Sequence, residues 1–312
     1  MATWLMLRGF AENDWNPKHM LKYDMWTVLW KAVTKKAGVN GIVACIDKRQ
    51  ECPPAPSGYV DDGFVVICTK DIDSLASSAS VIFHRGGFKE FHDIVYRHNK
   101  PAIYYGAGKR REASHELYKL VLNDKMWVKP AVDSDDMFVP MSIAKSFDVC
   151  YIANHAQREI KSIDWVYKTA PEHLRVLHIG RGCYNVGSHP KNVTVIESDR
   201  EHMPYWINNC LIGIVPYWSG VDSAPRVVSE MQACGLYLVV ADTVHFSGKV
   251  YGVISDKEKF WNKVESSLIR DDVKNGTIFS NVRYWYERNS SMSKAAFTLL
   301  DLIQRSVCEL DG

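Results

Sequence analysis

The stretch Ile212-Gly213-Ile214-Val215-Pro216-Tyr217-Trp218-Ser219-Gly220-Val221-Asp222-Ser223-Ala224-Pro225-Arg226-Val227-Val228-Ser229-Glu230-Met231-Gln232-Ala233-Cys234-Gly235, followed by Leu236–Val240, decides the fold. Ile212–Val215 reads as a buried strand, Ala224–Ala233 as a helix and Leu236–Val240 as a second strand, which together form a βαβ unit of a parallel sheet. Pro225 fits the first turn of that helix, where its fixed φ and missing N–H cost nothing, and Ser223 fits the N-cap before it. The helix amino end then lies at the mouth of the sheet, where free N–H groups and the helix dipole favour a phosphate.

The same alternation runs outward in both directions. Upstream in the second half, apolar runs at Val149–Ala153, Leu174–Ile179 and Val193–Ile196 alternate with helical stretches at 160–169 and 202–209, and the chain closes with helices at 257–268 and 292–309. In the first half, strands are expected at 3–7, 41–46, 64–68, 80–83 and 102–105, with helices at 23–35 and 88–98. Met25, Trp26, Leu29 and Val33 repeat close to a 3.6 period, as one buried helix face requires. Pro130, Pro140 and the polar run Asp133-Ser134-Asp135-Asp136 read as a connector. The expectation is an α/β chain of two Rossmann-like domains in tandem, residues 1–140 and 141–312, each binding ligands at the carboxyl ends of its strands.

The chain has 312 residues, 46% hydrophobic and 24% charged, which suits about two globular domains and excludes disorder. Its net charge of +2 gives no field strong enough to draw it to nucleic acid or an anionic membrane, so any such contact has to be local. No apolar run reaches the roughly 18 residues of a membrane span. Arg8, Glu12 and Asp14 come too early for a secretory signal, so a cytoplasmic protein without stable membrane insertion is expected. The eight cysteines never form CxxC and several sit in apolar runs, which points to reduced, buried thiols and away from zinc.

Asp222 and Glu230 are separated by seven residues and followed by Gln232-Ala233-Cys234-Gly235. This pattern resembles the retaining glycosyltransferases of the GT-B fold, the group that includes glycosyltransferase family 4. The likeness covers roughly residues 146–309, with the first half similar in architecture only. It implies a cleft between two Rossmann-like domains and a last helix that crosses back to the first domain. It also implies a nucleotide-sugar donor, UDP-linked, with no cofactor and no metal. Glu230 would hold the ribose hydroxyls and Asp222 the transferred sugar, although the family mostly has Glu at the first position and Asp is one methylene shorter. A carboxylate suits hydroxyls because it accepts two charge-assisted hydrogen bonds at once.

In the same family a Gly-Arg turn and a following Lys grip the diphosphate. Lys161 resembles that lysine, and Asn154 stands where the arginine is expected. Arg158 or Arg181, the latter in Gly180-Arg181-Gly182, would then supply the missing cation, while Ser223, Ala224 and Arg226 would line the helix end. The nucleobase would lie near Val193–Ser198. His84, at the end of a strand, resembles a histidine held against the donor sugar; the competing reading is a structural histidine. Arg8, Arg85, Gly86 and Lys109 are the candidate acceptor contacts. Asp133-Ser134-Asp135 mimics the DxD metal motif of the other glycosyltransferase fold, but a proline-flanked connector is the wrong place for it.

The acceptor stays open at this level. Soluble metabolites and a hydroxymethylated DNA base are both candidates, since bacteriophage base glycosyltransferases share the fold and a base in a duplex would have to be flipped out. A nucleotide-sugar 2-epimerase and a catalytically silent binding protein are the rival readings.

Overall fold

The computed structural model describes residues 1–10, 20–21, 24–47, 58–69, 71–85, 89–106, 116–122, 137–183, 189–222, 225–245 and 251–308. The chain divides into two compact units, Met1–Trp127 with Ala295–Gly312, and Val128–Lys294. The division thus falls ahead of the expected boundary at 140, and the end of the chain groups with the first unit.

The first unit contains β1 (Thr3–Phe10), α1 (Met25–Ala37), β2 (Asn40–Asp47), β3 (Gly58–Asp61), β4 (Phe64–Cys68), α2 (Ile72–Ser78), β5 (Val81–Arg85), α3 (Lys89–His98), β6 (Ala102–Tyr105) and β7 (Tyr118–Leu122). Among the described residues its sheet has the order β3-β4-β2-β1-β5-β6-β7, parallel throughout except for the β3–β4 pair. Trp4, Leu5, Met6 and Leu7 are all buried, because a central parallel strand is covered on both faces and so reads as an unbroken apolar run. Helix α1 begins at Asp24, whose carboxylate accepts from Thr27 N–H at 2.8 Å, and buries Met25, Trp26, Leu29, Trp30 and Val33. Trp30 stacks on Phe83 at 5.3 Å. Elsewhere in the same unit, Leu5, Leu7, Ile82, Phe91, Ile94 and Tyr104 share a second buried cluster.

The second unit contains β8 (Phe147–Ile152), α4 (Ile163–Thr169), β9 (Val176–Ile179), β10 (Val193–Ile196), α5 (Met203–Asn208), β11 (Cys210–Val215), α6 (Arg226–Ala233), β12 (Tyr237–Ala241), β13 (Gly252–Ser255), α7 (Phe260–Leu268), α8 (Asp271–Lys274) and α9 (Thr277–Asn289); α10 (Met292–Ile303) follows. Its described strands are all parallel, in the order β10-β9-β8-β11-β12-β13. This is the doubly wound order, in which chain direction across the sheet reverses between β8 and β11 and leaves a crevice at their carboxyl ends. The core holds Val149, Tyr151, Leu177, Ile212, Ile214, Leu238 and Val239. Gly235, at φ +86°, turns the chain out of α6, and an added Cβ would meet the Phe279 carbonyl at 2.8 Å. Arg283 of α9 donates to the carbonyls of Ala233 at 2.9 Å and Phe138 at 2.5 Å, which ties the end of α6 to the segment before β8.

Two details differ from the sequence reading. Helix α6 starts at Arg226 with Pro225 in the extended conformation before it, so the proline is the cap position and not the first helical residue. Strands β3, β7 and β13 and helices α2, α8 and α9 add to the expected set. Cys45, Cys68, Cys150, Cys183, Cys210 and Cys234 are free and buried, in keeping with their apolar sequence settings.

Candidate functional site

At the β8–β11 switch point of the second unit lies a cavity of about 210 Å³ lined by residues from five segments. Ile152, Ala153 and Asn154 leave β8; Gln157 and Lys161 follow in the short helical turn; Tyr217 and Asp222 come from the loop after β11; Pro225, Arg226, Val227 and Glu230 belong to the start of α6. Arg200 and Met203, after β10, complete the lining. Close backbone packing shapes this end of the sheet. A Cβ on Gly180 would lie 1.7 Å from the Ala153 carbonyl oxygen, so only glycine lets the β9 turn approach the chain that leaves β8.

Two ion pairs organise the charges. Lys161 pairs with Asp222, its side chain only 6% exposed, and its ammonium lies 3.9 Å from the centroid of the Tyr217 ring. Tyr151 donates to the Lys161 carbonyl at 2.7 Å and Tyr217 donates to the Ile152 carbonyl at 2.5 Å, so two buried phenols fix the backbone at the end of β8 and at the lysine itself. Burial first, and then the charges of Asp222 and Glu230, push the Tyr217 hydroxyl well above the ordinary tyrosine range and keep it a donor. The second pair is Arg200 with Glu230, whose carboxylate side chain is 2% exposed. The Arg200 guanidinium also lies 5.2 Å from the Phe138 ring centroid.

The cavity therefore gathers Asn154, Lys161, Asp222, Arg226 and Glu230 from the sequence candidates. Arg181 is not among its lining residues: its side chain is exposed and its backbone N–H donates to Asn154 Oδ1 at 3.0 Å, so Asn154 positions the glycine-flanked turn. Arg158 is engaged with Asp164 in an exposed pair. Ser223, Ala224, Gly86, Lys109 and the Asp133–Asp135 motif lie outside the described residues, as does the side chain of Arg85. Arg8, a candidate acceptor contact, is paired with Asp24, and that pairing together with hydrogen bonds from Thr27 outweighs burial to hold the Asp24 carboxyl below the usual range.

The burial of His84 favours the structural one of its two readings. The ring is fully buried, with Nε2 2.9 Å from the Tyr118 hydroxyl, and it packs edge-on against Phe91 and His92 of α3. Helix α3 covers the strand end that was expected to face substrate, so this histidine belongs to the core of the first unit. Sequence reasoning missed Arg200 and Tyr217. Tyr217 directly follows the β11 run and could have been found as a residue at the carboxyl end of a central strand; Arg200 belongs to no motif. Among the described residues no group of three or more His, Cys, Asp or Glu side chains could hold a metal ion. No described helix is long and apolar enough to cross a membrane.

Two parallel-sheet Rossmann-like units, the second with a charged cavity at its switch point, define the GT-B class of fold. Solved structures of that class match along nearly the whole chain. Sucrose-phosphate synthase from Thermosynechococcus elongatus aligns with a TM-score of 0.66 at 9% identity, covering 99% of this chain and 100% of its own. An α,α-trehalose 6-phosphate synthase from Burkholderia multivorans aligns with a TM-score of 0.61 at 8% identity, covering 99% and 97%. The DNA-modifying enzyme β-glucosyltransferase, solved with and without uridine diphosphoglucose, aligns with a TM-score of 0.56 at 10% identity, covering 97% and 99%. No family model and no curated protein sequence matches the chain.

Proposed function

We propose that the protein is a glycosyltransferase that takes a sugar from a nucleotide sugar, UDP-linked, and transfers it with retention of anomeric configuration. The observation that carries this reading is the cavity at the β8–β11 switch point, where Lys161 and the amino end of α6 meet a nearly dry carboxylate, Glu230. A diphosphate needs cations and N–H donors; a ribose diol needs an acceptor-only group. The cavity supplies both within one lining. Its position at the carboxyl ends of the strands is where open α/β sheets bind nucleotides.

In this mechanism Lys161, the Asn154 segment and the α6 amino end stabilise the charge that grows on the departing diphosphate, which is the largest contribution such a site can make. The diphosphate and Asp222 compete for Lys161, so donor binding turns the Asp222 carboxylate toward the sugar hydroxyls. In this reading Lys161 and the α6 amino end meet the diphosphate charge without a divalent metal: EDTA is expected to leave transfer intact, and activity abolished by EDTA and restored by Mn²⁺ would refute that part.

The test of the function is calorimetry with UDP and UDP-sugars, followed by donor hydrolysis and acceptor screening with product anomers assigned by NMR. The screen includes soluble sugars, sugar phosphates and hydroxymethylated DNA, because one structural neighbour is a DNA-modifying enzyme. Isomerised sugar nucleotide without any transferred sugar would instead establish the epimerase reading, and absence of binding by every nucleotide sugar would leave a silent protein.

A further inference from the structure

The cation that pairs with Glu230 is Arg200, thirty positions upstream in sequence and outside every motif. Lys161 is engaged with Asp222. Arg200 is itself constrained: its guanidinium lies over Phe138, one terminal nitrogen is 3.9 Å from the Met203 sulfur, and Nε is buried without a hydrogen-bond partner. A guanidinium held in this way fixes the place of the carboxylate oxygen it binds. With Oε1 of Glu230 committed to Arg200, Oε2 is the oxygen with acceptor capacity to spare. Neighbouring charge would otherwise disfavour a dry carboxylate here, since Asp222 lines the same cavity.

Resting on the nucleotide reading above, we infer that Arg200 is the positioning residue of a ribose-diol site: it holds Glu230 so that the cavity selects ribonucleotides over nucleotides lacking the vicinal hydroxyls. Arg200 acts through Glu230 and does not itself bind phosphate. Discrimination follows because a site built around hydroxyl acceptors loses those bonds, with nothing in exchange, when the hydroxyls are absent.

Calorimetry with UDP, 2′,3′-dideoxy-UDP and inorganic pyrophosphate tests this on the full-length wild type, Arg200→Met and Arg200→Lys. The wild type is expected to prefer UDP to dideoxy-UDP by about ten-fold or more, the worth of one or two charge-assisted hydrogen bonds. In Arg200→Met that preference should vanish through weaker UDP binding, with dideoxy-UDP and pyrophosphate unchanged. Arg200→Lys keeps the charge without the fork and should retain the preference only in part. It decides the matter if the Met variant does not fold. Equal losses for UDP and dideoxy-UDP, weakened pyrophosphate, or an undiminished preference in Arg200→Lys each overturn the inference. A wild type that binds UDP without preferring it to dideoxy-UDP overturns it while leaving the nucleotide reading intact. A wild type that binds neither UDP nor pyrophosphate overturns the nucleotide reading itself.

Discussion

Lys161 and Asp222 neutralise each other at the cavity wall, with the lysine side chain only 6% exposed and the aspartate 29% exposed. The more solvated partner is the one free to leave. An incoming diphosphate brings more charge than a single carboxylate, so under the proposed function Asp222 is a counterion that yields to the donor. Asp222→Asn is therefore expected to bind UDP about five-fold tighter, the release of about 1 kcal/mol of competing ion pairing. Transfer should fall at the same time, because the carboxylate that turns to the sugar is gone. Calorimetry and initial rates on the same preparation check both halves; weaker UDP binding by Asp222→Asn would show that the aspartate holds the nucleotide directly.

Under the proposed function, Glu230→Ala removes the acceptor of the ribose hydroxyls, and it strands Arg200. Donor affinity should drop about ten-fold or more, since a hydrogen bond to a charged group is worth about 1.5–3 kcal/mol. The melting temperature should fall as well, because a mostly buried guanidinium loses its counterion. Glu230→Gln keeps an acceptor oxygen and should lose less of each. Unchanged donor affinity in a folded Glu230→Ala protein would remove the ribose assignment.

Much of the fold was legible because buried parallel strands are unbroken apolar runs. Phe64–Cys68, Ala102–Tyr105 and Val193–Ile196 stand where the sequence puts them. The elements that escaped it lack that signal: β3 is the short edge segment Gly58–Asp61, antiparallel to β4, and α9 mixes Arg283, Glu287 and Arg288 with aromatic residues on its surface. In the site, Asp222 and Glu230 could be read from their spacing within one βαβ unit, and Lys161 from its likeness to the family's lysine after β8. Arg200 could not, because its partner is set by how β10 and β11 sit in the sheet and not by distance along the chain. The two readings of His84 could not be separated for a related reason. A histidine ending a strand has the same local sequence whether solvent or a helix covers it, and the cover is decided by Phe91 and His92 on α3.

The complete burial of His84 has its own consequence. Replacing this fully buried ring by Ala empties space among Phe91, His92, Tyr104 and Tyr118 and removes a partner of the Tyr118 hydroxyl. Loss of about 2–4 kcal/mol of stability is expected, as for other large-to-small core changes. Turnover per folded molecule should be unaffected at a temperature where the variant is native. A stable His84→Ala protein with impaired turnover would return the residue to the substrate's side.

His178 makes stability depend on pH through the backbone that lines the cavity. Its Nε2 donates to the Ala153 carbonyl at 2.9 Å, so Nδ1 is the acceptor of the Tyr167 hydroxyl at 2.7 Å and the ring is neutral. Burial, the largest cause, and the neighbouring His189 together lower its pKa to about 4, against a hydrogen bond to Ala153 that raises it. The folded value lies below the unfolded value of about 6.5, so between the two the unfolded chain binds a proton that the native protein does not. Stability should therefore fall as pH drops from about 6.5 to about 4, by about 3 kcal/mol in all. Tyr151, Tyr167 and Cys183 also lie against the ring; burial pushes both phenols well above the ordinary tyrosine range and the thiol up to about 11, so all three stay protonated across this range. Asp148, held below the usual carboxylate range by Arg175, loses its contribution only at lower pH. Urea unfolding of the wild type and His178→Gln at about pH 7 and about pH 4.5 separates these effects, because the carboxylates are common to both proteins. The variant is expected to be less stable at the higher pH and to lose distinctly less on acidification; equal losses in the two proteins would show that His178 is not the group that titrates.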